Sequence, residues 1–278
     1  MSEDYHPSKL QKEVYKKILE KIPNKDNIIN GYYTDYKLNF LPSVQNKIEI
    51  EKEIGAGNGN ELVDTKKPAK FKAVHSSSAL CVNNFAPFKQ YMDRSNFFGY
   101  SNFIEATFEK KVPTGISFPN LDFYLENEKT IIGFESKYTE YLKSKLPNEN
   151  LEKYINRKNS IELANDNFFS LFEEYNINTN HYHLDIAQLL KHATGLLSKE
   201  SKIGKKAVLV YIFWLPENWK DFEAFKKHQS EIEEFKSKIT KYIKFIPISY
   251  LEFWKNYEAD SLFGNHIKEV MARYNLSL

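Results

Sequence analysis

An α/β fold, with a mixed sheet flanked by helices, is what the sequence predicts, and three observations predict it. Residues 121–126 and 130–137 are rich in Phe, Tyr, Ile and Leu, and the polar Asn127, Glu128 and Lys129 between them mark a tight hairpin. Residues 206–215, KAVLVYIFWL, form a near-continuous apolar run, the pattern of a buried central strand. Apolar residues at helical spacing stand on either side of these strands, over residues 79–85 and 184–200.

Composition bounds the rest. With 278 residues, 41% hydrophobic, including 21 Phe and 18 Tyr, the chain can bury a substantial core. The expected division is an N-terminal helical and irregular appendage, residues 1–54, packed on a main domain of residues 55–278. Lys and Arg total 39 against 37 for Asp and Glu, a net +2, so net charge does not announce a polyanion partner, although a local basic groove stays open. The single cysteine, Cys81, excludes an intramolecular disulfide and fits a reducing cytoplasm. The opening MSEDYHPSKLQ has no apolar signal core, and the longest apolar run, 207–215, is too short to span a bilayer. A soluble, cytoplasmic protein without membrane contact is expected.

Taken in order, Leu10, Val14, Ile18 and Leu19 follow Ser8 at helical spacing, and Pro23 stops the helix. Residues 27–54 show no clean period, and GAGNGN at 55–60 reads as a loop; no P-loop Lys-Ser/Thr follows it. Ser76 or Ser77 caps the next helix, which should end near Pro87. Residues 102–112 alternate, placing Phe103, Glu105, Thr107 and Glu109 on one side of a strand. Residues 138–158 are charged and irregular, a solvated surface or a track for phosphates. Residues 160–176 suggest a core helix or short turns. In 184–200, Gln188 and His192 are four apart and so side by side. A long charged helix over 217–241, an edge strand over 245–250 containing Pro247, and a helical tail with Phe253, Trp254, Tyr257 and Phe263 complete the chain.

The hairpin carries the candidate chemistry. If Glu126 pairs with Ile131, Asp122 falls opposite Glu135, with Cβ atoms roughly 4.5 to 5.5 Å apart. Lys137 then points to the same face, while Leu121, Phe123, Leu125 and Phe134 point to the other. Two adjacent carboxylates repel, so a pair held together suits a hard divalent cation, magnesium or manganese. A neighbouring ammonium would orient water or offset charge on a phosphate. The same three residues would equally suit a solvated cross-strand salt bridge.

These residues resemble the signature of the PD-(D/E)XK nucleases: Pro119 and Asp122, then Glu135-Ser136-Lys137 as the ExK element, with Asn120-Leu121 inserted between the Pro and the Asp. G-x-G-N-E-L at 57–62, followed by H-S-S-x-A-L-x-x-N-x-F-x-P at 75–87, resembles a bacterial restriction-endonuclease-like family of that superfamily. The spacing of the Gly-rich part departs from the family, which leaves the role of Glu61 open. The resemblance implies an αβββαβ core and a magnesium- or manganese-dependent endonuclease acting on DNA. Asp122 and Glu135 would be the metal ligands, Lys137 the catalytic cation and Glu109 a supplementary acid. Gln188, His192, His75, Ser77 and Asn83 would be accessory. Double-strand cutting would imply a homodimer. The competing readings are a non-catalytic nucleic-acid-binding protein that keeps the fold, and a nuclease directed at RNA.

Overall fold

The computed structural model describes residues 8–57, 60–148, 150–163 and 165–278. The glycine-rich stretch falls partly on Asn58 and Gly59, outside the described residues, as do residues 1–7. Helix α1 (Lys9–Lys21) starts at a capping box: the Ser8 hydroxyl accepts from Gln11 N–H, and the Gln11 side chain accepts from Ser8 N–H. Two short strands, β1 (Ile28–Ile29) and β2 (Tyr32–Tyr33), pair with each other and lead to α2 (Lys47–Gly55). No helix was expected at α2, where only Ile50 and Ile54 are buried while Ile48 lies exposed, too short an apolar stripe to reveal a period.

Helix α3 (Ser77–Gln90) is capped by Ser76, whose hydroxyl accepts from Ala79 N–H. It runs three residues beyond Pro87 rather than ending there. Proline withholds one N–H from the helix, but Phe88 is buried and stacked on Phe263 with ring centroids 4.0 Å apart, which holds the last turn in place.

The main sheet contains β3 (Glu105–Lys111), β4 (Asn120–Glu126), β5 (Thr130–Lys137), β6 (Lys206–Phe213) and β7 (Lys244–Ser249), in that spatial order. The first three strands are antiparallel, and β5, β6 and β7 run parallel. Parallel neighbours need crossover connections. These are α4 (Leu151–Ile155), α5 (Phe169–Asn176) and α6 (Ile186–Ile203) between β5 and β6, then α7 (Glu223–Ile239) between β6 and β7. Helices α8 (Tyr250–Tyr257) and α9 (Gly264–Tyr274) close the chain. As the sequence leads one to expect, β6 is almost wholly buried, although it lies between β5 and the edge rather than at the centre of the sheet, and β7, with Pro247, is an edge.

The two faces have different partners. Phe85 of α3 stacks on Phe123 at 4.8 Å and meets Phe134 at 5.1 Å and Phe253 at 5.4 Å, giving one face an aromatic core. The other face lies under α6 and α7: Gly133, the residue before Phe134, faces Leu196, and Tyr211 bonds to the buried His228 at 2.9 Å. Helix α1 is tied across the molecule by the fully buried Gln11, whose Nε2 donates to the Thr139 carbonyl at 3.1 Å, two residues beyond β5.

Candidate active site

The hairpin register agrees with the expected one, with Glu126 opposite Ile131 and Phe123 opposite Phe134, but regular pairing stops there. On the other side Phe108 pairs with Phe123 and Lys110 with Leu121, while Glu109, between them, has φ +51°. Alternation slips at this point. Leu121 was expected on the aromatic face with Phe123; instead its Cδ1 would lie 2.6 Å from a Cβ placed on Gly133, on the α6 side. Asp122 sits at the slip, and its Oδ2 accepts from Ser136 N–H at 2.6 Å.

Glu135, 1% exposed, is met by two cationic or protonatable groups. Lys137 Nζ stands 2.6 Å from Oε1 and His192 Nε2 stands 2.7 Å from Oε2. Both are ion-pair distances, yet neither oxygen receives an aligned hydrogen bond. Lys137 also donates to Gln188 Oε1 at 2.8 Å, so the two residues four apart on α6 both reach the ExK strand. Asp185 caps α6 by accepting from Gln188 N–H at 3.1 Å, and Lys145 holds its other oxygen at 2.6 Å.

Burial, and then the charges of Glu135 and Glu109, push the Asp122 carboxyl well above its ordinary range. Burial would raise Glu135 too, but Lys137 and His192 outweigh it and hold that carboxyl below its usual value. For Lys137, burial works against the charge; Glu135 chiefly overcomes it, and the ammonium is held protonated. Burial and the neighbouring Glu61 push Glu109 up to about 7, against a hydrogen bond from Asn120 Nδ2 at 3.1 Å.

Asp122, Glu135, Lys137, Glu109, Gln188, His192, His75 and Ser77 all line one cleft of about 1610 Å³. Asn83 does not line it. It is fully buried, accepts from Leu41 N–H at 2.9 Å and donates to the Asn39 carbonyl and the Tyr274 hydroxyl, so it ties the N-terminal segment to α3 and α9. Glu105, weighed against Glu109 in the sequence, binds Lys110 and lies outside the cleft lining. The geometry adds Glu61, which accepts from Ser78 Oγ at 2.9 Å and faces Lys70 Nζ at 3.3 Å. Glu61 and Ser78 belong to the two motif segments, 57–62 and 75–87, and that pairing was the signal in the sequence. Among the described residues, no three His, Cys, Asp or Glu side chains form one ligand-spaced group. No helix among them is long and apolar enough to cross a membrane.

A five-stranded mixed sheet flanked by helices, with this cleft against its β4–β5 hairpin, is compatible with a nuclease-like α/β core. The chain belongs to the family described as "Restriction Endonuclease associating with ARP", whose model matches residues 6–275. Searches of curated proteins and of solved structures each returned no match.

Proposed function

We propose that the protein is a divalent-metal-dependent deoxyribonuclease of the PD-(D/E)XK type, with Asp122 and Glu135 holding magnesium or manganese. The observation that carries this reading is the convergence of Asp122, Glu135 and Lys137 in one cleft, with Glu135 ionised beside a carboxyl that burial disfavours as an anion. The residues fit such a cation. Asp122 and Glu135 are hard carboxylate donors lining one cleft, and magnesium characteristically takes one or two protein carboxylates and completes its shell with water and substrate phosphate. When bound, the ion would polarise the phosphate and lower the pKa of a water.

The chain's own residues do the rest. Asp122 would hold the ion as a carboxylate, its proton given up on binding, and the Ser136 N–H keeps one of its oxygens oriented. Lys137, fixed between Glu135 and Gln188, offsets charge developing on the phosphate or orients the attacking water. His192 braces Glu135 from α6, and Glu109 contributes a further acidic contact at the same cleft. The family description names a restriction endonuclease, which points to DNA as substrate and to a cytoplasmic enzyme; two copies of the site would serve double-strand cutting.

Purified protein with plasmid and oligonucleotide DNA in Mg²⁺ or Mn²⁺ tests this. Asp122→Ala and Lys137→Ala should each slow cleavage by on the order of 100-fold or more. Cleavage unchanged in both variants refutes the assignment. Metal-independent DNA binding with no cleavage under any metal would favour a non-catalytic binding protein, and faster cleavage of RNA an RNA-directed enzyme.

A further inference from the structure

Tyr15, Tyr32 and His75 come from three separate segments and meet at the wall of the same cleft. Tyr15, on α1, stacks on His75 with centroids 3.7 Å apart and planes 18° from parallel. Tyr32, on β2, presents an edge to His75 at 6.3 Å and 68°. The corner is held firmly. Gln11, one turn before Tyr15, is bonded to the Thr139 carbonyl, and Tyr32 is bridged to Ala73, two residues before His75. His75 leads into the Ser76 cap of α3. Burial pushes the imidazole down to about 4, so at neutral pH it is an uncharged ring, and its Nδ1 is buried without a hydrogen-bond partner.

A nuclease that touches only a duplex backbone needs cations and amides along its groove, not aromatic rings in the wall of its cleft. Rings in a polar cleft suit a base taken out of its stack, since every base has a π-face. The cleft is larger than the roughly 300 to 1,000 Å³ of sites for single small ligands, so it has space for more than one nucleotide. We propose that Tyr15, Tyr32 and His75 form a stacking subsite for an unpaired base of the nucleic acid whose phosphate is handled by Asp122, Glu135 and Lys137. The subsite rests on the nuclease reading for its substrate, and it makes single-stranded, overhanging or flipped-out nucleotides the preferred target.

The test uses the full chain in EDTA, so that binding is read without cleavage. Single-stranded oligonucleotides carrying 2-aminopurine at successive positions are compared with the blunt duplex of the same sequence. One position in the single strand should be quenched on binding, and the duplex should bind more weakly. Tyr15→Leu and Tyr32→Leu should weaken single-strand binding by roughly 5- to 150-fold and abolish the quench, with melting curves confirming the fold; Tyr15→Phe, which keeps the ring, should restore both. No quench at any position with the unsubstituted protein, or Leu variants that bind as it does, overturns the subsite. A parallel assay in Mg²⁺ separates the two claims. Cleavage that ignores the rings sinks only the subsite, whereas ring-dependent binding without cleavage sinks only the nuclease reading.

Discussion

Replacing Glu109 with Gln should stabilise the protein at neutral and alkaline pH when no divalent cation is present. Glu109 is raised from 4.5 to about 7, by burial first and by Glu61 next. A carboxyl raised on folding binds more protons in the folded state, so stability is greatest below pH ~4.5, falls as pH rises towards ~7, and is flat above. At ~1.4 kcal/mol for each tenfold change in proton affinity, the loss is about 3 kcal/mol. Gln keeps the shape and can still accept from Asn120, so the variant sheds only the charge. Urea denaturation in EDTA should show it about 3 kcal/mol more stable than the parent at pH 8, a rise in Tm on the order of 5 to 10 °C. At pH 4.5 the gap should shrink below about 0.5 kcal/mol. An equal gap at both pH values, or none at pH 8, refutes the electrostatic account.

Gly195→Ala should destabilise by roughly 1 to 3 kcal/mol, because a Cβ there would lie 2.9 Å from both the Val112 carbonyl oxygen and its Cγ2. Since Gly195 lies on α6 one turn beyond His192, the same variant should lose cleavage rate in a nuclease assay while keeping native circular dichroism. Glu126 is driven down to about 2, against burial, by Lys199, Lys205 and Tyr124. Its stabilisation is present above pH ~4.5 and lost as pH falls towards 2, so acid titration of Glu126→Gln should lack part of the parent's loss of stability.

Most of the sheet was legible in the sequence because its residues report their surroundings directly. The hairpin announced itself through aromatic arms around Asn127, whose side chain accepts from Lys129 and Thr130 N–H and closes the turn. Strand β6 showed through its unbroken apolar run, and α1 through the capping Ser8 and the spacing of Leu10, Val14, Ile18 and Leu19. What stayed hidden depends on contacts far apart along the chain. Phe88 holds the turn of α3 past Pro87 by packing on Phe263, the residue before α9, and on Phe253 of α8. Asn83 looks the same in sequence whether it faces substrate or, as here, anchors residues 39 and 41 and Tyr274. Glu61 gains its place from Ser78, 17 residues later.

The face assignments failed at one place, and the reason bears on the chemistry. A period of two allots Leu121, Phe123 and Leu125 to one face, and it holds for a strand whose backbone stays in the β region throughout. Glu109 leaves that region, with φ +51° at the point where it would face Asp122, and a side chain other than glycine pays about 1 to 2 kcal/mol for that conformation. Beyond it both strands resume with alternation shifted, Lys110 still opposite Leu121. The two carboxylates at the slip, Glu109 and Asp122, line the same cleft as Glu135. An uninterrupted β3–β4 ladder would return Leu121 to the aromatic core and would still set Asp122 opposite Glu135, so the visible consequence of the slip at Glu109 is the passage of Leu121 to the α6 side, against Gly133.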